Sequence, residues 1–150
     1  MKFLADSMLG RLAKWLRVLG YDTHYQRFYP RGTLEDLLRE ERRLLSRNRN
    51  LLTCFPETLL IHSNRVGDQL REVATQTDMA LDRSTWFSRC LVCNELLETT
   101  EAEEAREHIP EYVFYQGLSK IQMCSSCGRY FWPGSHRERM IKQLGEWGVT

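Results

Sequence analysis

The chain has 150 residues, of which 42% are hydrophobic and 27% are charged, and its formal net charge at pH 7 is +1. This length allows one compact domain, or one domain with a small appendage, and excludes a large multidomain enzyme. The balanced charge gives no bulk attraction to nucleic acid, so any basic surface has to come from local clustering. Because no stretch is apolar enough to span a bilayer, we expect a soluble, cytoplasmic protein with no membrane partner.

The first 80 residues alternate short apolar runs with amphipathic segments. An apolar run over residues 2–5 predicts a buried strand that ends at Asp6. Ser7 is expected to cap a helix that runs to about Leu19, with Met8 and the leucines on its apolar side. The later predicted elements are a strand over residues 21–25 after a capping Gly20, a helix from Thr33, a strand at residues 44–45 that runs into polar residues 46–48, a helical turn at residues 51–52, a strand over residues 58–61 and a helix after Asn64.

This order of elements predicts a small three-layer α/β domain with a parallel sheet over residues 1–82. The carboxyl ends of parallel strands lie along one edge, where such folds bind ligands. Asp6, Asn48 and Asn64 each follow a predicted strand, so we interpret them as candidate catalytic residues in one crevice. The alternative for each is a plain turn former or helix cap.

Four of the five cysteines form two Cys-x-x-Cys pairs, Cys90 with Cys93 and Cys124 with Cys127. Two such turns bring four thiolates within about 2.3 Å of one tetrahedral zinc ion. A four-thiolate shell leaves no open position for water, so this zinc is predicted to be structural. A redox motif, a disulfide pair and an iron–sulfur cluster are the competing interpretations. The fifth cysteine, Cys54, is expected to be buried.

Residues 83–150 are therefore predicted to form a zinc-ribbon module with a basic C-terminal tail. An acidic stretch over residues 95–107 is typical of a solvated helix or loop. Tyr130, Phe131 and Trp132 are expected to cover the metal, with base stacking as their alternative role.

Basic residues recur in local groups that suit a polyanion backbone. The first helix carries three of them as a cationic stripe, a second cluster of arginines lies over residues 39–49, and the tail carries more. The alternative for each group is a solvated helix face. The candidate nucleic-acid-binding residues, with RNA as the expected partner, are Arg11, Lys14, Arg17, Arg47, His136 and Arg137.

Two long motifs resemble the signatures of one known family. The N-terminal motif, over residues 3–17, reads FLADSMLGRLAKWLR. The C-terminal motifs read RCLVCN over residues 89–94 and CSSCGRYFWPGSH over residues 124–136. Together they resemble the Mut7-C ribonuclease-domain family over nearly the whole chain.

The resemblance implies a PIN-like α/β domain followed by a zinc ribbon, with metal-dependent ribonuclease activity on RNA phosphodiesters. It also implies that Asp6 is the first acid of a site for Mg²⁺ or Mn²⁺. Three positions depart from the family pattern: Asn48 and Asn64 stand where acids are usual, and no acid lies near Tyr29. An asparagine offers a neutral carbonyl oxygen instead of a charge, so metal affinity is expected to fall.

Two functions follow from this depleted set of acids. One is a ribonuclease that uses Asp6 with Asn48 and Asn64 as auxiliary polar groups. The other is an inactive RNA-binding or protein-interaction module that keeps the fold and the structural zinc. The remaining acids that would compensate are Glu35, Asp36, Glu40 and Asp68.

Overall fold

The computed structural model describes residues 1–117 and 120–149, and the chain divides into two compact units, Met1–Asn94 and Glu95–Thr150. The elements of the first unit are β1 (Lys2–Ala5), α1 (Gly10–Val18), β2 (Asp22–Tyr25), α2 (Thr33–Leu38), β3 (Arg42–Ser46), α3 (Leu51–Cys54), β4 (Leu59–Leu60), α4 (Val66–Gln76) and a 3₁₀ turn (Arg83–Thr85). Those of the second unit are β5 (Glu98–Thr100), α5 (Ala102–Ala105), α6 (Glu111–Tyr115), β6 (Ile121–Met123), β7 (Tyr130–Phe131) and α7 (Ser135–Glu146).

The first unit is built on a four-stranded parallel sheet in the order β2-β1-β3-β4. Leu4 of the central β1 pairs with His24 on one side and with Leu44 on the other. Phe3, Leu4 and Ala5 are fully buried, as expected for a strand covered on both faces. The predicted α/β class with a parallel sheet is thereby confirmed.

Helix α1 begins at Gly10, so the prediction that Ser7 caps a helix containing Met8 was wrong. The Asp6 side chain accepts a hydrogen bond from the Met8 N–H at 2.9 Å, which holds residues 6–8 in a turn and delays the helix. Met8 is 69% exposed in consequence.

Leucines on α1 and apolar residues on α4 form the core beside the sheet. Leu12 and Leu16 of α1 and Leu70 and Val73 of α4 are fully buried, and the two helices contact each other. Each such side chain contributes about 1.5–3 kcal/mol of hydrophobic free energy. The periodicity predicted these buried faces correctly.

Helix α2 leaves its leucines only half-buried, and none of its residues is fully buried. One further expectation about the first unit was wrong. Cys54, expected in the core, is exposed at the end of α3, because α3 is a single turn at the surface.

The second unit contains an antiparallel sheet in the order β5-β6-β7. Its core is formed by Ala105, Ile109, Val113 and Ile121, with Tyr130 and Trp132 packed against it. Part of the acidic stretch is therefore core, since Ala105 is fully buried. The predicted basic tail is a twelve-residue helix, α7.

Candidate active site and candidate metal centre

The polar residues that follow β1, β3 and β4 lie at the carboxyl edge of the parallel sheet. The Ser46 hydroxyl, at the end of β3, donates a hydrogen bond to Asp6 Oδ2 and accepts one from the Asn48 N–H at 2.9 Å. The Arg47 guanidinium donates to Asn64 Oδ1. These bonds connect the ends of the three strands along this edge.

The Asp6 carboxylate is fixed on both oxygens. Oδ1 accepts from the Met8 N–H and Oδ2 from Ser46, and the Asp6 N–H donates to the Leu45 carbonyl at 3.0 Å. Asp6 is 9% exposed, whereas its partner Ser46 is fully buried. Because a carboxylate oxygen has two lone pairs, each oxygen keeps acceptor capacity for a cation or a solvent proton.

Asn48 and Asn64 are exposed, and their side-chain oxygens already accept hydrogen bonds. Asn48 Oδ1 accepts from the Asn50 N–H at 3.0 Å, which is the geometry of a turn former. Asn64 Oδ1 accepts from Arg47. In the part of the chain that the structure describes, no hydrogen bond joins either asparagine side chain to Asp6.

Tyr29 lies beside Asp6, near the position where the resemblance led us to expect an acid. Its hydroxyl donates to the Ala5 carbonyl at 2.6 Å and accepts from the Gln26 N–H at 3.0 Å. Burial raises the pKa of Tyr29 to about 12, and the Asp6 charge adds to that rise. A neutral phenol therefore stands next to the Asp6 carboxylate.

Glu72 of α4 is the second carboxylate held at a strand end. It accepts from the backbone N–H groups of His62 at 2.8 Å and Ser63 at 2.7 Å, just after β4. Burial acts to raise the pKa of Glu72, but these hydrogen bonds outweigh it and hold that pKa below its usual value.

Sequence reasoning missed Ser46, Tyr29 and Glu72. Ser46 had a signal, because it is a hydroxyl closing a buried apolar strand directly before the Arg47-Asn48 pair. Tyr29 and Glu72 had none, since their positions depend on a loop and on the docking of α4.

Three of the four acids considered as compensating ligands form ion pairs elsewhere. Asp36 pairs with Arg39, and Asp68 pairs with Arg71 on the surface of α4. Glu40 pairs at 2.8 Å with Arg42, the first residue of β3, and therefore lies toward the opposite edge of the sheet. Glu35 is exposed on α2.

The predicted cationic stripe is correct for Arg11 and Lys14, which are exposed on α1, and wrong for Arg17. Arg17 is 6% exposed, because its guanidinium is enclosed by backbone carbonyl groups. Its Nε donates to Thr23 O at 3.0 Å, and its Nη1 donates to Leu91 O at 2.9 Å and Val92 O at 3.1 Å. In the second unit, His136 is exposed and Arg137 is half-buried at the start of α7, where burial lowers the Arg137 pKa.

The ligand atoms of the four paired cysteines lie within 4.8 Å of one another. Cys90 and Cys124 are buried, and Cys93 and Cys127 are half-buried. Four thiols at this spacing match the donor set of a tetrahedral thiolate site. Over residues 1–117 and 120–149, no other group of three or more His, Cys, Asp or Glu side chains has the spacing to hold an ion.

The two cysteine turns, at residues 90–93 and 124–127, have the same backbone geometry. The Asn94 N–H donates to Cys90 O at 2.9 Å, and the Gly128 N–H donates to Cys124 O at 2.8 Å. Both following residues have positive φ, 70° for Asn94 and 75° for Gly128. Asparagine and glycine are the residues that accept this conformation most readily. Asn94 and Gly128 therefore allow the same turn to form at both cysteine pairs.

The first cysteine turn is bonded to β2 and α1. Asn94 accepts from the Thr23 N–H at 2.9 Å and donates to Asp22 at 2.7 Å, while Arg89 donates to Gly20 O at 3.0 Å. Burial acts to raise the pKa of Asp22, but hydrogen bonds from Arg42 and Asn94 lower it overall.

Comparison with known proteins gives one match. The family model described as Mut7-C RNAse domain matches residues 1–144. No curated protein and no solved structure matches the chain. Among the helices the structure describes, none has the length and apolar character to cross a membrane.

Proposed function

The chain belongs to the Mut7-C RNAse domain family, and from this premise we propose that it is a PIN-like ribonuclease domain acting on RNA phosphodiesters. The family match confirms the resemblance inferred from the motifs. The proposed site of hydrolysis is the carboxyl edge of the parallel sheet, around Asp6.

The observation that carries the proposal is the carboxylate of Asp6, held at the end of the central strand by Met8 and Ser46. A divalent ion such as Mg²⁺ or Mn²⁺, when bound, supplies an activated water and charge stabilisation. Asp6 would hold that ion through its remaining lone pairs. No cluster of three acids surrounds Asp6 in the described residues, so the remaining ligands would be waters and the RNA phosphate.

Cations on α1 and directly after β3 support binding of the phosphate backbone. Arg11 and Lys14 are exposed on α1, whose first residue lies four positions after Asp6. Arg47 directly follows β3. We propose these three residues as phosphate contacts, together with His136 and Arg137 of the second unit.

We propose Zn²⁺ as the ion of the cysteine cluster. Four thiolates favour zinc among common ions and leave it no open coordination position. In this proposal the zinc supports the fold, and hydrolysis belongs to the separate site at Asp6.

A second candidate function is RNA binding without hydrolysis. It is favoured by the side chains around Asp6: Asn48 accepts a local backbone hydrogen bond, and Tyr29 is a neutral phenol bonded to Ala5 O. Neither supplies the negative charge that a second ligand would bring.

Incubation of labelled single-stranded and structured RNA with the protein and Mn²⁺ or Mg²⁺ tests both candidates. Asp6→Asn is expected to abolish cleavage, whereas Asp68→Asn, on the surface of α4, is the matched control and should leave it intact. Cleavage that survives Asp6→Asn would reject the assignment to Asp6. Salt-sensitive binding without cleavage would favour the second candidate, and absence of RNA binding at low salt would reject both.

A further inference from the structure

Arg17 is a buried cation whose hydrogen bonds lead to the first cysteine turn. Its Nη1 group donates to the carbonyls of Leu91 and Val92, the two residues between Cys90 and Cys93. Its Nε donates to Thr23 of β2, so one guanidinium joins α1, the edge strand and the turn. The side chain makes these contacts at 6% exposure.

The guanidinium of Arg17 is held by backbone carbonyl groups. Within the described part of the chain, no carboxylate lies at ion-pair distance from its guanidinium. A buried charge is costly unless an opposite charge compensates it. The groups that flank its two turn carbonyls are thiols, which become thiolates when they bind a metal ion.

We propose that Arg17 is a positioning residue for the cysteine metal site. It fixes the turn at residues 90–93 on the α/β unit. Its positive charge also balances part of the net negative charge that results when four thiolates bind a dication. Metal binding and the stability of the α/β unit are then thermodynamically coupled through one side chain. This inference rests on the proposed metal site and is independent of ribonuclease activity.

The competing role is purely structural: Arg17 would stabilise the fold equally with and without metal. The two roles differ in one quantity, the metal affinity. Loss of a group that orients metal ligands weakens metal affinity by about 10–100-fold, whereas loss of a purely structural residue does not change metal affinity selectively.

The test measures zinc affinity by competition with a chromophoric chelator at pH 7 for Arg17→Met and Arg17→Lys. Arg17→Met, which keeps the length and loses the charge, is expected to bind zinc about 10–100-fold more weakly. Arg17→Lys keeps the charge but loses the planar guanidinium group, so its zinc affinity should lie between those of the wild type and Arg17→Met. Arg71→Met, an exposed arginine on α4, is the matched control and should bind zinc like the wild type. Equal affinity for wild type and Arg17→Met would overturn the proposal.

A measurement on the wild type covers the case in which Arg17→Met does not fold. Zinc added to the metal-free protein should slow solvent exchange of the Arg17 Nε–H, which donates to Thr23, at least tenfold relative to the metal-free state. An unchanged exchange rate overturns the inference. A wild-type protein that binds no zinc refutes the proposed metal site itself, whereas zinc binding that is insensitive to Arg17 refutes this inference alone.

Discussion

Glu72 shows how one side chain fixes the end of a short strand. Strand β4 has only two residues, Leu59 and Leu60, and the chain then turns through His62 and Ser63. Both of their N–H groups donate to the Glu72 carboxylate, at 2.8 and 2.7 Å. Because this bonding favours the charged form, the pKa of Glu72 is lower in the folded state than in the unfolded state.

Replacing Glu72 with Gln is expected to lower the free energy of unfolding at pH 7 by about 1–2 kcal/mol, because a neutral amide accepts these hydrogen bonds more weakly. A depressed folded pKa gives stability that is present above the unfolded pKa and is lost as pH falls through the folded value. The difference between wild type and variant should therefore shrink in acid. Urea unfolding at pH 7 and at acidic pH measures it, with Glu57→Gln at an exposed position as control. A difference that is independent of pH would contradict the assignment.

Single residues of the site were predictable only where the signal was local. Asp6 ends an apolar run, so its place at the sheet edge followed from the sequence. Tyr29 comes to Asp6 through a loop that no periodicity describes. Arg17 was assigned to an exposed stripe because its burial depends on carbonyls 74 and 75 residues away.

At the scale of elements, Gly20 lies where the end of α1 packs against residues 85–87, the segment that precedes the first cysteine turn. Gly20 follows α1 with φ +90°, and a Cβ there would clash with the Thr85 carbonyl oxygen. The Thr85 hydroxyl donates to Leu19 O at 2.9 Å, and the Phe87 N–H donates to Val18 O at 2.7 Å. The absence of a side chain at Gly20 therefore lets residues 85–87 dock against the end of α1.

Gly20→Ala is expected to destabilise the protein by at least about 2 kcal/mol, from backbone strain at positive φ plus the clash with Thr85 backbone. Gly32→Ala is the matched control, since Gly32 has φ +86° but open space around its Cβ direction. It should cost about 1–2 kcal/mol from strain alone. Thermal and urea unfolding measure both. Equal losses in the two variants would show that close packing against Thr85 adds nothing.

Periodicity predicted the order of the elements in the first unit, because apolar spacing reports directly which faces are buried. It placed the N-cap of α1 at Ser7 instead of Leu9, since the Asp6 side chain holds a preceding turn that spacing does not reveal. In the second unit, acidic composition concealed the core residue Ala105. Composition averages over a segment, whereas burial is decided at single positions.

At the scale of the whole molecule, the paired cysteines are the long-range feature that the sequence predicted best. Their spacing alone indicated one site, and their ligand atoms lie within 4.8 Å of one another. The backbone of each turn is set locally, by Asn94 and by Gly128 at positive φ. What spacing could not reveal is that α1 and β2 hold the first turn through Arg17 and Asn94.

The chain is expected to bind one zinc ion, and removal of that ion should destabilise it strongly. A ligand present at 1,000 times its Kd stabilises the folded state by about 4 kcal/mol, so chelation should lower the unfolding free energy by about that amount. Because thiols must lose protons to bind the ion, zinc affinity should fall as pH is lowered. Metal content per chain and unfolding with and without chelator measure these effects. Cys124→Ser should lose the ion, whereas Cys54→Ser, at an exposed position outside the cluster, should retain it. Full zinc content in Cys124→Ser would exclude the four-cysteine site, because the remaining donors would then suffice without it.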